Sequence, residues 1–316
     1  MRPATAPPPA GTVDGLVWIA GGTFRMGSDR HYREEGPARD VEVAGFWLSR
    51  TAVTNAEYAA FVAATGYTTV AERPLDPAEF PGAPAENLLP GSMVFVGTPG
   101  PVDLRHLSQW WRWTPGACWL SPEGPGSSVA GREQHPVVHV AAEDAEAYAR
   151  WAGLVLPTEA EWEHAARGGL DAATYTWGDD PEPPGARLAN YWHGDFPWRA
   201  GPGYGATAPV GSFPPNAHGL ADMAGNVWEW TQDWWSEERW AGLSSCCVPS
   251  DPRGGRREES ADPRQPGAAV PRKVVKGGSF LCADSYCLRY RPAARRPQPV
   301  DTGMSHIGFR VASRPA

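Results

Sequence analysis

Glycine and proline interrupt this sequence so often that long helices and strands are difficult to build. The chain contains 36 Gly and 34 Pro among 316 residues, and both residue types mark turns and loops. The 16 Trp residues suit a loop-rich fold, because each large ring fills volume that regular packing leaves open. The sequence therefore predicts one α+β domain with low regular secondary structure.

A few segments still carry clear signals of regular structure. Thr54 and Thr158 each stand three residues before a glutamate, which is the spacing of a capping box at a helix start. The predicted helices lie within 54–66, 142–153 and 157–169. The predicted strands lie within 15–27, 41–49, 272–281 and 306–312, whereas 71–135 and 236–272 are expected to be irregular.

The net charge and the hydropathy of the chain argue against two classes of partner, nucleic acids and membranes. The net charge is -8, whereas a general nucleic-acid binder needs a basic face. The chain has no apolar run near the roughly 18 residues that span a membrane. Residues 1–14, rich in Pro and Ala, resemble neither a secretory signal nor an anchor. We expect a flexible lead over 1–14, a domain over 15–316, and partners that include neither nucleic acid nor membrane.

The five cysteines are too few, and odd in number, for a disulfide framework. A reducing cytoplasm is therefore the expected location. Cys282 and Cys287 stand five residues apart, and three interpretations stay open: a disulfide, two buried thiols, or a metal site. Structural zinc needs four ligands, usually from two paired clusters, and no matching pair exists. Two soft sulfurs without hard ligands nearby suit Cu(I).

Four arginines follow this cysteine pair closely: Arg289, Arg291, Arg295 and Arg296. Nearby positive charge lowers the pKa of a thiol and favours the thiolate. The alternative interpretation is a solvated basic strand or loop.

A second group of candidates consists of Asp222 and Glu229, seven residues apart with Gly225 between them at a turn. Carboxylates and backbone carbonyls can bind calcium, although such residues are more often only solvated. His135 and His139 have the i, i+4 spacing of a metal pair. Pro136 and the following valines favour a strand there, so we expect both histidines to be structural.

Six long motifs together resemble those of the formylglycine-generating enzymes. They occur in the family's order along nearly the whole chain: WIAGGTFRMGS, HPVVHV, LPTEAEWEHAARGG, FPPNAHGLADMAGNVWEWTQDWW, KGGSFLCADSYCLRYRPAARR and HIGFRVA. The resemblance implies a single irregular domain related to the C-type lectin fold. It also implies a reaction in which molecular oxygen oxidises a cysteine of an unfolded sulfatase to Cα-formylglycine. The target cysteine would lie in a Cys-x-Pro-x-Arg segment.

The resemblance also assigns residues. Cys282 and Cys287 match the family's active pair, which would hold one Cu(I), while Ser279, Tyr286 and Trp228 match positions that line the site. A first group of implied calcium ligands comprises Asp222, Gly225, Val227 and Glu229. A second group comprises Asn190, Tyr191 and Tyr204, and here Pro202 replaces the family's acidic ligand. His306 stands where the family has Asn near the substrate channel, so it is a candidate substrate-binding residue.

Cysteine usage supports the expected compartment. Some relatives have two further disulfides, and this chain has other residues at all four positions: Ala149, Ala166, Pro292 and Val311.

Two alternative functions remain open beside the leading one. The first is a related copper–cysteine oxidase that acts on another peptide or on a small thiol. The second is a non-catalytic, lectin-like binding module, which the retained cysteine pair disfavours. The ergothioneine-type iron oxygenases also carry a histidine-rich helical domain, and this sequence lacks one.

Overall fold

A computed structural model describes residues 15–78, 82, 84–183, 187–240, 247–264 and 270–315. The predicted flexible lead over 1–14 lies outside these residues. The described chain forms an α+β fold of short elements, as the sequence predicted. Its helices are α1 (Asn55–Thr65), α2 (Ala142–Trp151) and α3 (Glu159–Arg167). Short 3-10 turns lie at Arg33–Glu35, Val70–Glu72, Ala85–Leu88, Leu107–Gln109 and Arg257–Glu259.

The strands are short and spread along the chain. They are β1 (Leu16–Ile19), β2 (Gly22–Met26), β3 (Arg39–Val43), β4 (Phe46–Ser49), β5 (Gly91–Phe95), β6 (Trp111–Pro115), β7 (Gly194–Asp195), β8 (Arg199–Ala200), β9 (Trp228–Trp234), β10 (Arg272–Lys276), β11 (Arg295–Pro299), β12 (Ile307–Gly308) and β13 (Ala312–Ser313). The largest sheet has the order β11-β10-β9-β12, and a second has the order β1-β4-β13. Three two-stranded pairs, β2-β3, β5-β6 and β7-β8, complete the described sheets.

The three predicted helices are confirmed, and two of them begin as the sequence indicates. The Thr54 and Thr158 hydroxyls each accept a hydrogen bond from the backbone of the third following residue, so both capping boxes form. Gly66 and Gly168 end these helices in the left-handed conformation, which glycine adopts without a steric penalty.

Two sequence expectations about strands are wrong. The stretch 71–135 is not irregular throughout, because β5 and β6 pair there in antiparallel register. The segment from His135 to His139 is not a strand: its bridge from Pro136 to Thr54 is isolated. His139 also has a φ of 61°, which breaks the strand alternation that the valines suggested.

Tryptophan rings occupy the interior beside β9. Trp110, Trp162, Trp228 and Trp230 are among the largest fully buried side chains, which confirms the packing role predicted for such residues. β9 therefore carries two of these rings and pairs with both β10 and β12. This arrangement fixes the ends of β9 and β10, from which the site loops emerge. None of the described helices is long and apolar enough to cross a membrane.

Candidate active site around the cysteine pair

The loop after β10 brings the two predicted cysteines together. Gly277 and Gly278 have φ values of 93° and 72°, and a Cβ on Gly278 would lie 2.8 Å from the Arg289 carbonyl oxygen. Only glycine therefore fits this return of the chain. The Cys287 backbone N–H donates to the Ala283 carbonyl at 2.6 Å. The resulting turns place the Cys282 and Cys287 Sγ atoms 3.3 Å apart, as free thiols.

The two thiols differ in environment. Cys282 is 2% exposed, and burial, together with its contact to Cys287, raises its pKa well above the usual value. A hydrogen bond from Cys282 lowers the pKa of Cys287, and the guanidinium groups of Arg289, Arg296 and Arg291 act in the same direction. The arginines that act on Cys287 are thus three of the four that the sequence singled out. The arrangement favours a Cys287 thiolate that accepts a hydrogen bond from the Cys282 thiol.

A groove of about 1130 Å³ opens over the thiols. It exceeds the 300–1,000 Å³ usual for small-molecule pockets, and aromatic side chains form much of its wall. All the residues that the sequence singled out around the cysteines line this groove, and so does His306. They are Ser279, Cys282, Cys287, Tyr286 and Trp228. Their chemical roles stay predictions, but their convergence on one groove is observed.

Packing holds these side chains in place. Tyr286 stacks on Phe196 with ring centroids 4.6 Å apart, and burial, followed by the charge of Cys287, raises the pKa of Tyr286 to about 12. Trp228 is 1% exposed and begins β9, and its backbone N–H donates to the His306 carbonyl at 2.9 Å. Ser279 is fully buried, and its Oγ accepts from the Leu281 backbone N–H at 3.2 Å.

His306 is a buried, neutral imidazole. Burial and the neighbouring Arg296 lower its pKa well below the usual value. Its ring packs on Trp111 at 4.7 Å, and its Nε2 lies 3.3 Å from Arg296 Nη1. Because an arginine can only donate, Nε2 accepts and the proton resides on Nδ1. Among the described residues, no partner accepts that Nδ1 proton.

Three arginines anchor the cysteine loop, which is the segment 277–294 between β10 and β11, to carboxylates far away in the sequence. Two of them lie in the loop, and the third, Arg295, is the first residue of β11. Arg289 pairs with Glu34 at 2.6 Å, and Arg291 pairs with Glu35 through both guanidinium nitrogens. Arg295 donates to Glu159 at 3.0 Å. Arg291 and Arg295 are 1% and 0% exposed, so the alternative of a solvated basic loop is wrong.

The first group of calcium candidates lies in the turn before β9 and at the start of that strand. This turn contacts the loop of the thiols, since the Gly225 backbone N–H donates to the Gly277 carbonyl at 2.8 Å. The Asp222 carboxylate is buried, which raises its pKa to about 6, and it accepts from the Gly211 backbone N–H at 2.7 Å. Both oxygens of Glu229 already accept hydrogen bonds: Arg310 donates to both, and Trp162 donates to Oε2. A cationic side chain therefore already neutralises Glu229. Gly225 and Val227 lie in the same turn, with backbone carbonyls as their only donor groups for calcium.

The second group of calcium candidates, Asn190, Tyr191 and Tyr204, is hydrogen-bonded to this turn through Asn190. The Asn226 backbone N–H donates to the Asn190 carbonyl at 2.7 Å. Asn190 Nδ2 donates to Ala206 and Asn226, whereas its buried Oδ1 has no partner among the described residues. An unpartnered buried oxygen fits a hard cation. The His193 ring packs against the rings of both Tyr191 and Tyr204, with centroid distances of 4.1 and 4.0 Å.

The two histidines expected to be structural lie away from the thiols. Both ring nitrogens of His139 have partners, Ser92 Oγ and the Pro122 carbonyl, each at 2.8 Å. His135 Nδ1 contacts Thr207 Oγ1 at 3.0 Å. Across the part of the chain that the structure describes, no three His, Cys, Asp or Glu side chains form a metal-binding group. Calcium can also be bound by backbone carbonyl and amide oxygens.

Sequence reasoning missed Tyr32 as a groove residue. Its hydroxyl accepts from the Leu288 backbone N–H at 3.1 Å, and the Arg289 guanidinium lies 3.9 Å above its ring. The partners are 256 residues apart in sequence, and no local pattern marks the contact. Trp110, Trp111 and Phe196 also line the groove, and the Trp-rich segment at 110–113 was the available signal for the first two.

The fold and the paired thiols in a groove define a class of protein-modifying enzyme. A family model described as the sulfatase-modifying factor enzyme 1-like domain matches residues 2–315, and the chain belongs to this formylglycine-generating enzyme family. The formylglycine-generating enzyme of Mycobacterium tuberculosis is 54% identical over 95% of this chain and 98% of the relative. That of Thermomonospora curvata is 47% identical over 97% and 96%. The solved structure of PvdO from Pseudomonas aeruginosa has a TM-score of 0.59, with 26% identity over 95% of this chain and 94% of that one.

Proposed function

We propose that this enzyme converts a cysteine of an unfolded sulfatase segment into Cα-formylglycine. The main observation that supports this proposal is the free thiol pair, whose Sγ atoms lie 3.3 Å apart at the wall of a groove large enough for a peptide. Family membership along nearly the whole chain supports the same activity. A non-catalytic module would not need two free thiols in contact beneath an open groove.

The donor set supports Cu(I) as the cofactor. Cys282 and Cys287 would hold the ion, since two sulfurs without a third His, Cys or carboxylate ligand among the described residues match its preference for soft donors. When bound, copper would supply the redox chemistry with molecular oxygen. The thiolate character of Cys287, which the neighbouring arginines favour, prepares the pair for a soft cation.

The surrounding residues would position the substrate. A peptide segment of the type Cys-x-Pro-x-Arg would lie along the groove with its cysteine at the thiol pair. Trp228 and Tyr286 would shape the pocket around the reacting carbon and exclude water, and Ser279 would support the loop beneath. Positioning of this kind can supply several kcal/mol of the barrier. His306 would border the peptide channel through its ring, held by Trp111 and Arg296.

We also propose structural calcium beside the groove. The unpartnered Oδ1 of Asn190 supports an ion bound by Asn190, Tyr191 and Tyr204. The Asp222 turn with Gly225, Val227 and Glu229 is the other candidate, and there Arg310 already offsets the charge of Glu229. The free thiols support a reducing cytoplasm as the place of action.

One experiment tests the catalytic proposal. A Cys-x-Pro-x-Arg peptide is incubated with the reduced protein and Cu(I), in air and under nitrogen, and its mass is followed with aldehyde trapping. We expect aldehyde only in air and only with copper. Cys282→Ala and Cys287→Ala should each abolish both the product and tight copper binding. Equal product under nitrogen, or from the double variant, would refute the proposal.

A further inference from the structure

Arg296 is distinct among the four arginines that follow the cysteine pair. Arg289, Arg291 and Arg295 each pair with a carboxylate, of Glu34, Glu35 and Glu159 respectively. Arg296 has no carboxylate partner among the described residues. Its guanidinium donates to Gln298 Oε1 at 2.8 Å, faces His306 Nε2 at 3.3 Å and lies 3.8 Å from Met304 Sδ.

All of these contacts are neutral. Gln298 and Met304 carry no charge, and His306 stays unprotonated because burial and Arg296 itself lower its pKa. The Arg296 guanidinium carbon lies 5.9 Å from the centre of the Trp228 ring. Burial also lowers the pKa of Arg296, the direction expected for a cation removed from water. The Cys287 thiolate acts on this guanidinium in the opposite direction and raises its pKa. A partly buried cation without a carboxylate partner is nevertheless costly, and an anion that enters the groove would offset its charge further.

The position of Arg296 shows where such an anion would lie. Arg296 lines the groove together with both cysteines, and its charge acts on Cys287, Cys282 and Tyr286. A side chain that enters the groove at the thiol pair therefore comes within the field of this guanidinium. Arg289 also lines the groove, but Glu34 already neutralises it. Among the described groove arginines next to the thiols, Arg296 is thus the one whose charge no carboxylate offsets, and the Cys287 thiolate is the anion that acts on it.

We propose that Arg296 is a specificity-determining residue that selects a negatively charged side chain at the reacting position of the bound peptide. In the proposed reaction, that side chain is the ionised form of the substrate cysteine. Arg296 would offset its charge with a fixed cation, while Gln298 and His306 hold the guanidinium toward the groove. The inference rests on the proposed function, since it places the substrate cysteine at the thiol pair.

The test uses metal-free protein and peptides that cannot react, so that it measures the effect of charge on peptide binding without any contribution from catalysis. Two peptides of otherwise equal sequence carry Asp or Asn in place of the reacting cysteine, and their affinities are measured by fluorescence anisotropy. Wild type should bind the Asp peptide roughly tenfold more tightly, which is the low end of a charged hydrogen bond. Arg296→Gln should reduce the ratio to about twofold or less, whereas Arg296→Lys should retain most of it.

Arg25→Gln is the control, because it removes an exposed arginine whose charge is offset by Asp40 and which does not line the groove. This variant should keep the preference for Asp over Asn. Circular dichroism and thermal melts establish that each variant is folded. The inference is overturned if wild type shows no preference, if Arg296→Gln keeps it, or if Arg296→Lys loses as much as Arg296→Gln.

A parallel reaction with the Cys peptide, copper and oxygen distinguishes this inference from the proposed function. Wild type that prefers the Asp peptide yet forms no aldehyde would refute the function and leave the charge selection standing. Aldehyde formation by wild type, together with an Arg296→Gln variant that still prefers Asp, would refute the inference and leave the function standing.

Discussion

His139 lies completely inside the protein, and its imidazole is uncharged. Burial lowers its pKa to about 4, and both of its ring nitrogens are hydrogen-bonded. In the unfolded chain the same group titrates near its usual value of about 6.5. Between these values the unfolded state binds a proton that the folded state does not. The contribution of His139 to stability is therefore complete above pH 6.5 and decreases as the pH falls toward 4.

His139→Gln should remove this pH dependence, because an amide can contact Ser92 and the Pro122 carbonyl without titrating. We expect the variant to be less stable than wild type at pH 7 and to regain about 3 kcal/mol relative to it by pH 4. Urea unfolding at several pH values measures the difference. A constant gap between the two proteins from pH 7 to pH 4 would show that His139 does not remain neutral in the folded state.

The cysteine loop shows how a short element without regular structure is held rigid. It is fastened at Glu34 and Glu35, which are neighbours in sequence but differ in burial. Glu35 and Arg291 are 0% and 1% exposed, whereas Glu34 and Arg289 are 24% and 19% exposed. Removing one partner of a fully buried pair leaves an uncompensated charge, which is more costly than the same loss in a pair that is partly exposed to water.

Glu35→Gln should therefore destabilise the protein by about 3–5 kcal/mol, and Glu34→Gln, whose pair keeps part of its hydration, by clearly less. Chemical denaturation of the two variants gives the comparison directly. The pair is closely matched, since both substitutions exchange a carboxylate for an amide on the same short turn. Similar losses in both variants would contradict the assigned role of burial.

Gly278 governs the shape of the same loop. Gly278→Ala would place a methyl group 2.8 Å from both the Arg289 oxygen and the Tyr290 nitrogen at a positive φ, so the two thiols should move apart. We expect at least a tenfold loss of turnover, roughly 1.4 kcal/mol or more of activation free energy. Gly153→Ala is the control: its φ is also positive, but nothing lies within 4 Å, so only backbone strain of about 1–2 kcal/mol is added. Aldehyde formation and melting temperature separate the two effects.

The sequence predicted helices better than strands because helix signals are local. Thr54, Thr158 and the glycines that end these helices act within a few residues. In contrast, β5 and β6 pair across a long connection rich in Gly and Pro, and no local period marks that pairing. β9 was interpreted only as part of a motif, although it is the strand that places Trp228 beside the groove.

The same distinction applies to the site. The cysteines, Ser279 and Tyr286 lie on one loop and were found from its motif. Tyr32 was missed, since its contact with the loop depends on tertiary packing. The lack of a carboxylate partner for Arg296 was likewise invisible, because a run of arginines does not reveal which member has no acidic partner.

At the scale of the whole molecule, the proposed calcium ion would join the segment after Asn190 to the turn before β9. A ligand bound only by the folded state stabilises it by mass action. Chelation with EGTA should therefore lower the melting temperature of wild type, and added calcium should restore it. Asn190→Ala should have a lower melting temperature than wild type, and EGTA should lower it less. Glu229→Gln should have a lower melting temperature both with and without EGTA, because it loses the ion pair with Arg310. An unchanged melting temperature with EGTA would contradict the calcium proposal.

The ion pairs of the cysteine loop also have a consequence for the order of folding. Arg291 and Arg295 find their carboxylates 256 and 136 residues earlier in the chain. Contacts between such distant segments form slowly, because the long intervening loop must close first. We therefore expect the thiols of a refolding chain to remain accessible until the pairs with Glu35 and Glu159 form at a late step. Refolding yield should consequently depend on the reductant present during that interval, and a mature enzyme should be far less sensitive to the same oxidant.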